Sequence, residues 1–289
     1  MGVYAVEKSF ILMPNHSQSP SAVAPDSSRV FPRVVSLLPS ATELLCAVGG
    51  RGLLVGRSHE CDFPAGLEDV PVLTGQKIHE THPATIDALV REELARNDGQ
   101  GAQSLYTLDA AKLASLKPDI ILTQDLCEVC SIDLGTVQRV AQSLSPPPAI
   151  VSLNPHTVED ILDDLLRVGD AAGLTHHART KVVQLRERLF AAAEYVNPFD
   201  DGPTVAFLEW TDPIFVGGHW TAQLIERAGA RHELNPTRTM PDAGDAAGSQ
   251  QSQRRAGKSI RVSDADFVAS QPEYIIVCPC GFDLGAALK

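Results

Sequence analysis

The feature that most constrains this chain is a repeated switch between short β-prone apolar runs and segments of helical periodicity. The run Arg33-Val34-Val35-Ser36-Leu37-Leu38 has strand length and passes directly into Pro39-Ser40-Ala41-Thr42-Glu43. Ser40 and Glu43 hold capping-box spacing, Leu44, Leu45 and Val48 supply an apolar face, and Gly49-Gly50 supplies a stop, so a strand feeds a helix. The alternation returns as a strand over Leu53–Gly56, helices over Ala84–Arg96 and Leu108–Leu116, and a strand over Asp119–Thr123 behind Pro118. A helix over Ile132–Ser143, a Pro146-Pro147-Pro148 break, a strand over Ala149–Leu153 and a helix opened by Thr157 follow; Glu159 and Asp160 in its first turn suit the helix dipole. Strand-helix repetition of this kind implies an α/β fold with a parallel sheet.

From Thr175 to Val196 the apolar residues Val182, Leu185, Leu189, Ala193 and Val196 recur at three- and four-residue spacing with no Gly or Pro between them, a helix long enough to bridge two lobes. After the Pro198–Pro203 turn region the alternation restarts with a strand over Thr204–Glu209, helices over Thr221–Ala230 and Ser263–Ser270, and a strand over Tyr274–Cys278. A chain of 289 residues with 44% hydrophobic content holds two cores of ordinary size. The expected organisation is a disordered leader over 1–32, an N-terminal α/β lobe over 33–174, a linking helix over 175–196 and a C-terminal α/β lobe over 197–289. Residues 235–259, rich in Pro, Gly, Ser and Gln without periodicity, read as a solvated loop insertion. The second lobe is expected to be truncated, because the sequence stops just after a strand and the start of a helical run.

The net charge of -12 excludes the concentrated basic surface that phosphate binding needs, so nucleic acid is not an expected partner. No run approaches the roughly 18–20 apolar residues of a membrane-spanning helix. The leader has one short apolar run, Phe10-Ile11-Leu12-Met13, ended by Pro14, below the ~7–15 residues of a secretory core. A cytoplasmic location is therefore expected, with an organelle or a periplasm-like compartment as the alternative. Cys46, Cys61, Cys127, Cys130, Cys278 and Cys280 are then expected as free thiols. The sequence has no Gly-x-Ser-x-Gly elbow, Walker loop or Gly-x-Gly-x-x-Gly fingerprint, so catalysis has no positive signal.

Three segments carry a family signature: Val35-Ser36-Leu37-Leu38-Pro39-Ser40-Ala41-Thr42-Glu43-Leu44, then Val55-Gly56-Arg57-Ser58-His59-Glu60-Cys61-Asp62, then Lys117-Pro118-Asp119-Ile120-Ile121-Leu122. Together they resemble the periplasmic binding proteins for cobalamin and iron chelates, from about Arg33 to Leu284. The set Thr123-Gln124-Asp125-Leu126-Cys127-Glu128-Val129-Cys130, Leu208-Glu209-Trp210 and Cys278-Pro279-Cys280-Gly281-Phe282 is similar to a cobalamin-binding branch. The resemblance implies two Rossmann-like lobes joined by one rigid helix, a corrinoid or related metal chelate held in the cleft, delivery to an ABC permease, no required cofactor and no enzymatic step. A monomer is expected.

In an open parallel sheet ligands sit beyond the carboxyl ends of the strands, which selects the candidate residues. They are Pro39 and Ser40 after the first strand; Ser58, His59, Glu60, Asp62 and Phe63 after the second; and Gln124 and Asp125 after the Asp119–Thr123 strand. Trp210, His219, Trp220 and Phe282 stand in the second lobe, where aromatic faces suit a broad flat ligand. Capping for Ser40, core packing for either Trp and a simple hydrogen bond for His219 are the structural alternatives. Cys61, Cys127, Cys130, Cys278 and Cys280 all follow strands, and a thiolate metal or redox site on the cleft rim is the competing functional reading. Cys46, inside an apolar helix, is expected to be a small buried hydrophobe.

Overall fold

The computed structural model describes residues 31–77, 83–95, 105–125, 132–197, 201–240, 254–282 and 284–288. The first lobe is built on β1 (Val34–Ser36), α1 (Pro39–Ala47), β2 (Leu54–Arg57), β3 (Thr74–Gln76), α2 (Pro83–Ala95), β4 (Tyr106–Leu108), α3 (Ala110–Leu116), β5 (Ile120–Thr123), α4 (Leu134–Gln142), β6 (Ala149–Ser152) and α5 (Val158–Ala171). Its sheet runs β2-β1-β5-β6 and every pairing in it is parallel. The pleat sends Val34, Ile120 and Leu122 to one face, where they meet Leu45, Val168 and Cys61, and Val35 and Ile121 to the other, against Leu113, Val137 and Ala141. Both faces are covered by helices, which is why the strands read as continuous apolar runs rather than alternating ones. Each large side chain so buried, such as Leu45 or Leu113, stabilises the fold by roughly 1.5–3 kcal/mol.

Local chemistry starts the helices with one exception to the sequence reading. Asp109 caps α3 by accepting from the Lys112 N–H at 2.8 Å, and Asp133 caps α4 by accepting from the Thr136 N–H at 2.7 Å. Thr157 and Asp160 complete a capping box on α5. The box expected from Ser40 and Glu43 does not form: Pro39 occupies the first helical turn, Leu38 becomes the cap residue, and no side chain caps α1. The helix expected over 108–116 begins later, since Tyr106–Leu108 pairs antiparallel with β3 as a two-stranded ribbon.

The long helix α6 (Thr175–Ala193) leaves the first lobe with its first half against α5. A Cβ on Gly169 would lie 2.3 Å from the Ala178 Cβ, so the α5–α6 crossing requires glycine there. The second lobe comprises β7 (Val205–Thr211), β8 (Ile214–Val216), α7 (His219–Arg227), β9 (Arg238–Thr239), β10 (Arg254–Arg255), β11 (Ile260–Arg261), α8 (Asp264–Ala269), β12 (Tyr274–Val277) and α9 (Leu284–Ala287). Its sheet order is β11-β8-β7-β12, with β12 parallel to β7 and β8 antiparallel to it. The core here is smaller: Ala206, Leu208 and Val216 pack with Ile214, Leu234, Val262 and Phe267. The stretch read as an insertion over 235–259 has ordered ends, because β9 and β10 pair antiparallel and Asn235, Thr237 and Ala256 are buried.

Side chains tie α5 to α7 across the two lobes. The Val158 N–H donates to Gln223 Oε1 at 2.7 Å, Gln223 Nε2 donates to Glu159 Oε2 at 3.3 Å and to the Arg254 carbonyl at 3.1 Å, and Arg227 pairs with Glu159. Gln223 is fully buried, so its amide replaces water for a helix amino terminus that would otherwise be left unpaired.

Candidate functional site

The carboxyl ends of the two sheets approach each other, and the polar and aromatic groups of the chain gather where they do. On the first lobe the loop after β2 is folded by its own hydroxyls. Thr74 Oγ1 donates to Ser58 Oγ at 3.0 Å, the Glu60 N–H donates to Ser58 Oγ at 3.3 Å, and the His59 N–H donates to Thr74 Oγ1 at 3.0 Å. Ser58 is buried in this network and acts as its anchor. His59 Nδ1 lies 2.7 Å from Thr74 Oγ1, while Nε2 is buried without a hydrogen-bond partner. Burial pushes the imidazole pKa down, against the opposing pull of Glu60, so the ring is held neutral.

Tyr106, on β4, joins this loop from the neighbouring ribbon. Its hydroxyl donates to Glu60 Oε1 at 3.0 Å and its ring meets the His59 ring at 5.4 Å. Burial, then the Glu60 charge, raises the phenol well above its ordinary value, so it stays a donor.

On the second lobe β7 carries a bulge: Leu208 pairs with Val216 but Trp210 with Phe215, leaving Glu209 as the extra residue. Bulges of this kind re-aim side chains. The Glu209 carboxyl accepts from Ser259 and from the Gly218 backbone, and burial raises its pKa despite those bonds. Trp210 meets Phe282 edge to face with ring centroids 5.3 Å apart. The segment Cys278-Pro279-Cys280-Gly281 leads to Phe282 and is bound to β7 by the Cys278 N–H, which donates to the Leu208 carbonyl at 2.8 Å. Gly281 has φ +74, and a Cβ there would lie 3.7 Å from Glu60 Oε1 of the other lobe, which locates the seam.

A second cross-lobe contact is His156 against His219, rings 5.4 Å apart, with Trp220 5.8 Å from His219. His219 opens α7 at φ +49, and its Nε2 is buried without a partner. Burial, then His156 and Lys258, pushes its pKa down.

The remaining sequence candidates are spread more widely. Pro39 and exposed Ser40 stand on the first turn of α1; Asp62 and Phe63 are exposed. Gln124 is buried at the end of β5, and the Asp125 N–H donates to Asn154 Oδ1 at 2.7 Å. Cys61 is a correction: it is buried in the main core with its sulfur 3.1 Å from Thr42 Oγ1, because the loop turns it inward while His59 and Glu60 stay at the rim. Cys127 and Cys130 lie outside the described residues. Desolvation, then the charges of Glu209, Cys278 and Glu60, push the thiol of Cys280 up to about 11, although the residue as a whole is exposed. Among the described residues no three His, Cys, Asp or Glu side chains are grouped to hold a metal ion.

Sequence reasoning missed Tyr106, Glu209, Gln223 and His156. Only Glu209 carried a signal, standing beside Trp210 in a strand-end motif.

No family model matches the chain, and no curated protein matches it. Solved structures do. A periplasmic heme-binding protein from Pseudomonas aeruginosa matches with TM-score 0.61 at 18% identity, over 90% of this chain and 76% of that one. The periplasmic vitamin B12 binding protein BtuF of Vibrio cholerae matches with TM-score 0.57 at 16% identity, over 86% of this chain and 76% of that one. The chain has the periplasmic binding-protein fold. An ABC transporter substrate-binding protein from Listeria monocytogenes shares the binding-protein fold with TM-score 0.54 at 14% identity, over 90% of this chain and 80% of that one. This likeness agrees with the motif resemblance, and the neighbours are binding proteins rather than enzymes. It also corrects the cytoplasmic expectation, since the binding-protein neighbours named from Pseudomonas and Vibrio are periplasmic. The length of one apolar run, Phe10–Met13, bears on a single export route and is a poor guide to compartment.

Proposed function

We propose that this chain is a solute-binding protein that captures a corrinoid or closely related flat metal chelate between its lobes, in a periplasm-like compartment, for delivery to an ABC permease. The observation that carries the reading is an aromatic pair on each lobe beside the Glu60–Gly281 seam: Trp210 with Phe282 on one, and Tyr106 with His59 on the other. Flat ligands are gripped through such faces, with a few polar groups setting orientation. The described residues contain no helix long and apolar enough to cross a membrane. The vitamin B12 and heme descriptions of the structural neighbours support a tetrapyrrole-like ligand.

The test is calorimetric titration of the reduced protein with cyanocobalamin, cobinamide and hemin, repeated with W210A. Micromolar or tighter corrinoid binding, weakened at least tenfold in W210A, is the expected result. Binding of hemin alone would replace the corrinoid with heme, and binding of none of the three would sink the reading.

A further inference from the structure

We infer that Glu60 acts as a charge filter at the ligand seam, favouring chelates whose rim carries amides over those whose rim carries carboxylates. This rests on the corrinoid reading above and assigns a specificity role within it. Glu60 Oε1 stands at the junction of the lobes, accepting from the Tyr106 hydroxyl at 3.0 Å and facing Gly281, whose neighbour Phe282 is half of the Trp210 pair. A carboxylate has two oxygens and about four acceptor positions, so one phenol leaves capacity for donors from a ligand.

The charges around it are unbalanced. Arg57, the last residue of β2, donates through Nε to the Leu67 carbonyl and through Nη1 to the Ser58 and Cys61 carbonyls. His59 Nε2 lies 3.9 Å from Glu60 Oε1, but its ring is held neutral by burial. Lys258 acts on His219, at the other cross-lobe contact, and Glu209 already accepts from Ser259 and the Gly218 backbone. A propionate-type side chain brought to this seam would meet like charge in a partly dehydrated place, whereas an amide N–H would complete the Glu60 acceptor set.

Cobinamide and cobyrinic acid share one macrocycle and differ in rim amides against rim carboxylates, so they isolate the effect. At neutral pH and low salt the wild-type protein is expected to bind cobinamide at least about tenfold more tightly than cobyrinic acid, with the ratio shrinking in added salt. E60Q should bring the two affinities together by several-fold, mainly by tightening cobyrinic acid. If E60Q loses its cooperative melt, E60A serves the same comparison. Equal wild-type affinities, or an unchanged ratio in a folded Glu60 variant, would overturn the filter while leaving corrinoid binding standing. Failure of both ligands to bind the wild type would overturn the corrinoid reading and the filter with it.

Discussion

His232 shows how a single residue stores pH dependence in this fold. It is 1% exposed, and neither ring nitrogen has a hydrogen-bond partner, so burial pushes its pKa below the ordinary value near 6.5. A group with a depressed folded pKa that is neutral when deprotonated stabilises the fold fully above its unfolded value and loses that contribution as pH falls through the folded one. His219 has the same sign. The melting temperature should therefore drop as pH is lowered from 7 through the region below 6.5, and H232L should flatten that drop. An equally steep acid limb in H232L would assign the dependence elsewhere. At this scale the sequence was a partial guide. Trp210, Glu60 and Phe282 were named from strand ends and unusual residue types, and the structure puts Trp210 in ring contact with Phe282 and Glu60 beside Gly281. Tyr106 was not, since its role depends on which strand pairs with β3, and Cys61 misled because a loop between Glu60 and Asp62 can turn one side chain into the core and leave its neighbours at the rim.

Among the elements, β1, β5, β6 and β7 and the helices α1, α4, α5 and α7 were readable from apolar period and length. The strands β3, β4, β8, β9, β10 and β11 were not, because unlike β1, which opens the longer run Val34–Leu38, each is two or three residues whose existence is decided by a pairing partner elsewhere in the chain. The same long-range logic governs α7. Gln223 looks like an ordinary polar helix residue, yet it is fully buried and its amide accepts the Val158 N–H of α5. Removing it leaves a buried donor unpaired, which costs about 2 kcal/mol. Q223A should show that loss in denaturant unfolding, whereas a cost under about 0.5 kcal/mol, the range of an ordinary surface change, would mean that water replaces the amide at no penalty.

For the whole molecule, the two lobes differ in how completely they cover their sheets. The first buries both faces of β1 and β5; the second leaves Tyr274, Ile275, Ile276 and Val277 of β12 between 44% and 58% exposed. An apolar strand at a sheet edge is a site of non-specific association. I276K should raise the concentration at which light scattering first detects large particles, and no change would show that the edge is harmless. Two lobes and a linking helix were foreseeable from the restart of the alternation after Val196; the α5–α7 tie between them was not. That tie has a consequence for unloading under the proposed function. A receptacle whose halves are bolted together has little spring to release, so it would report occupancy poorly by changing shape and would hold its cargo until something outside levered it open. Under that proposal the work of letting go falls on the receiver, and the rate of surrender is a property of the docked pair and not of the carrier alone.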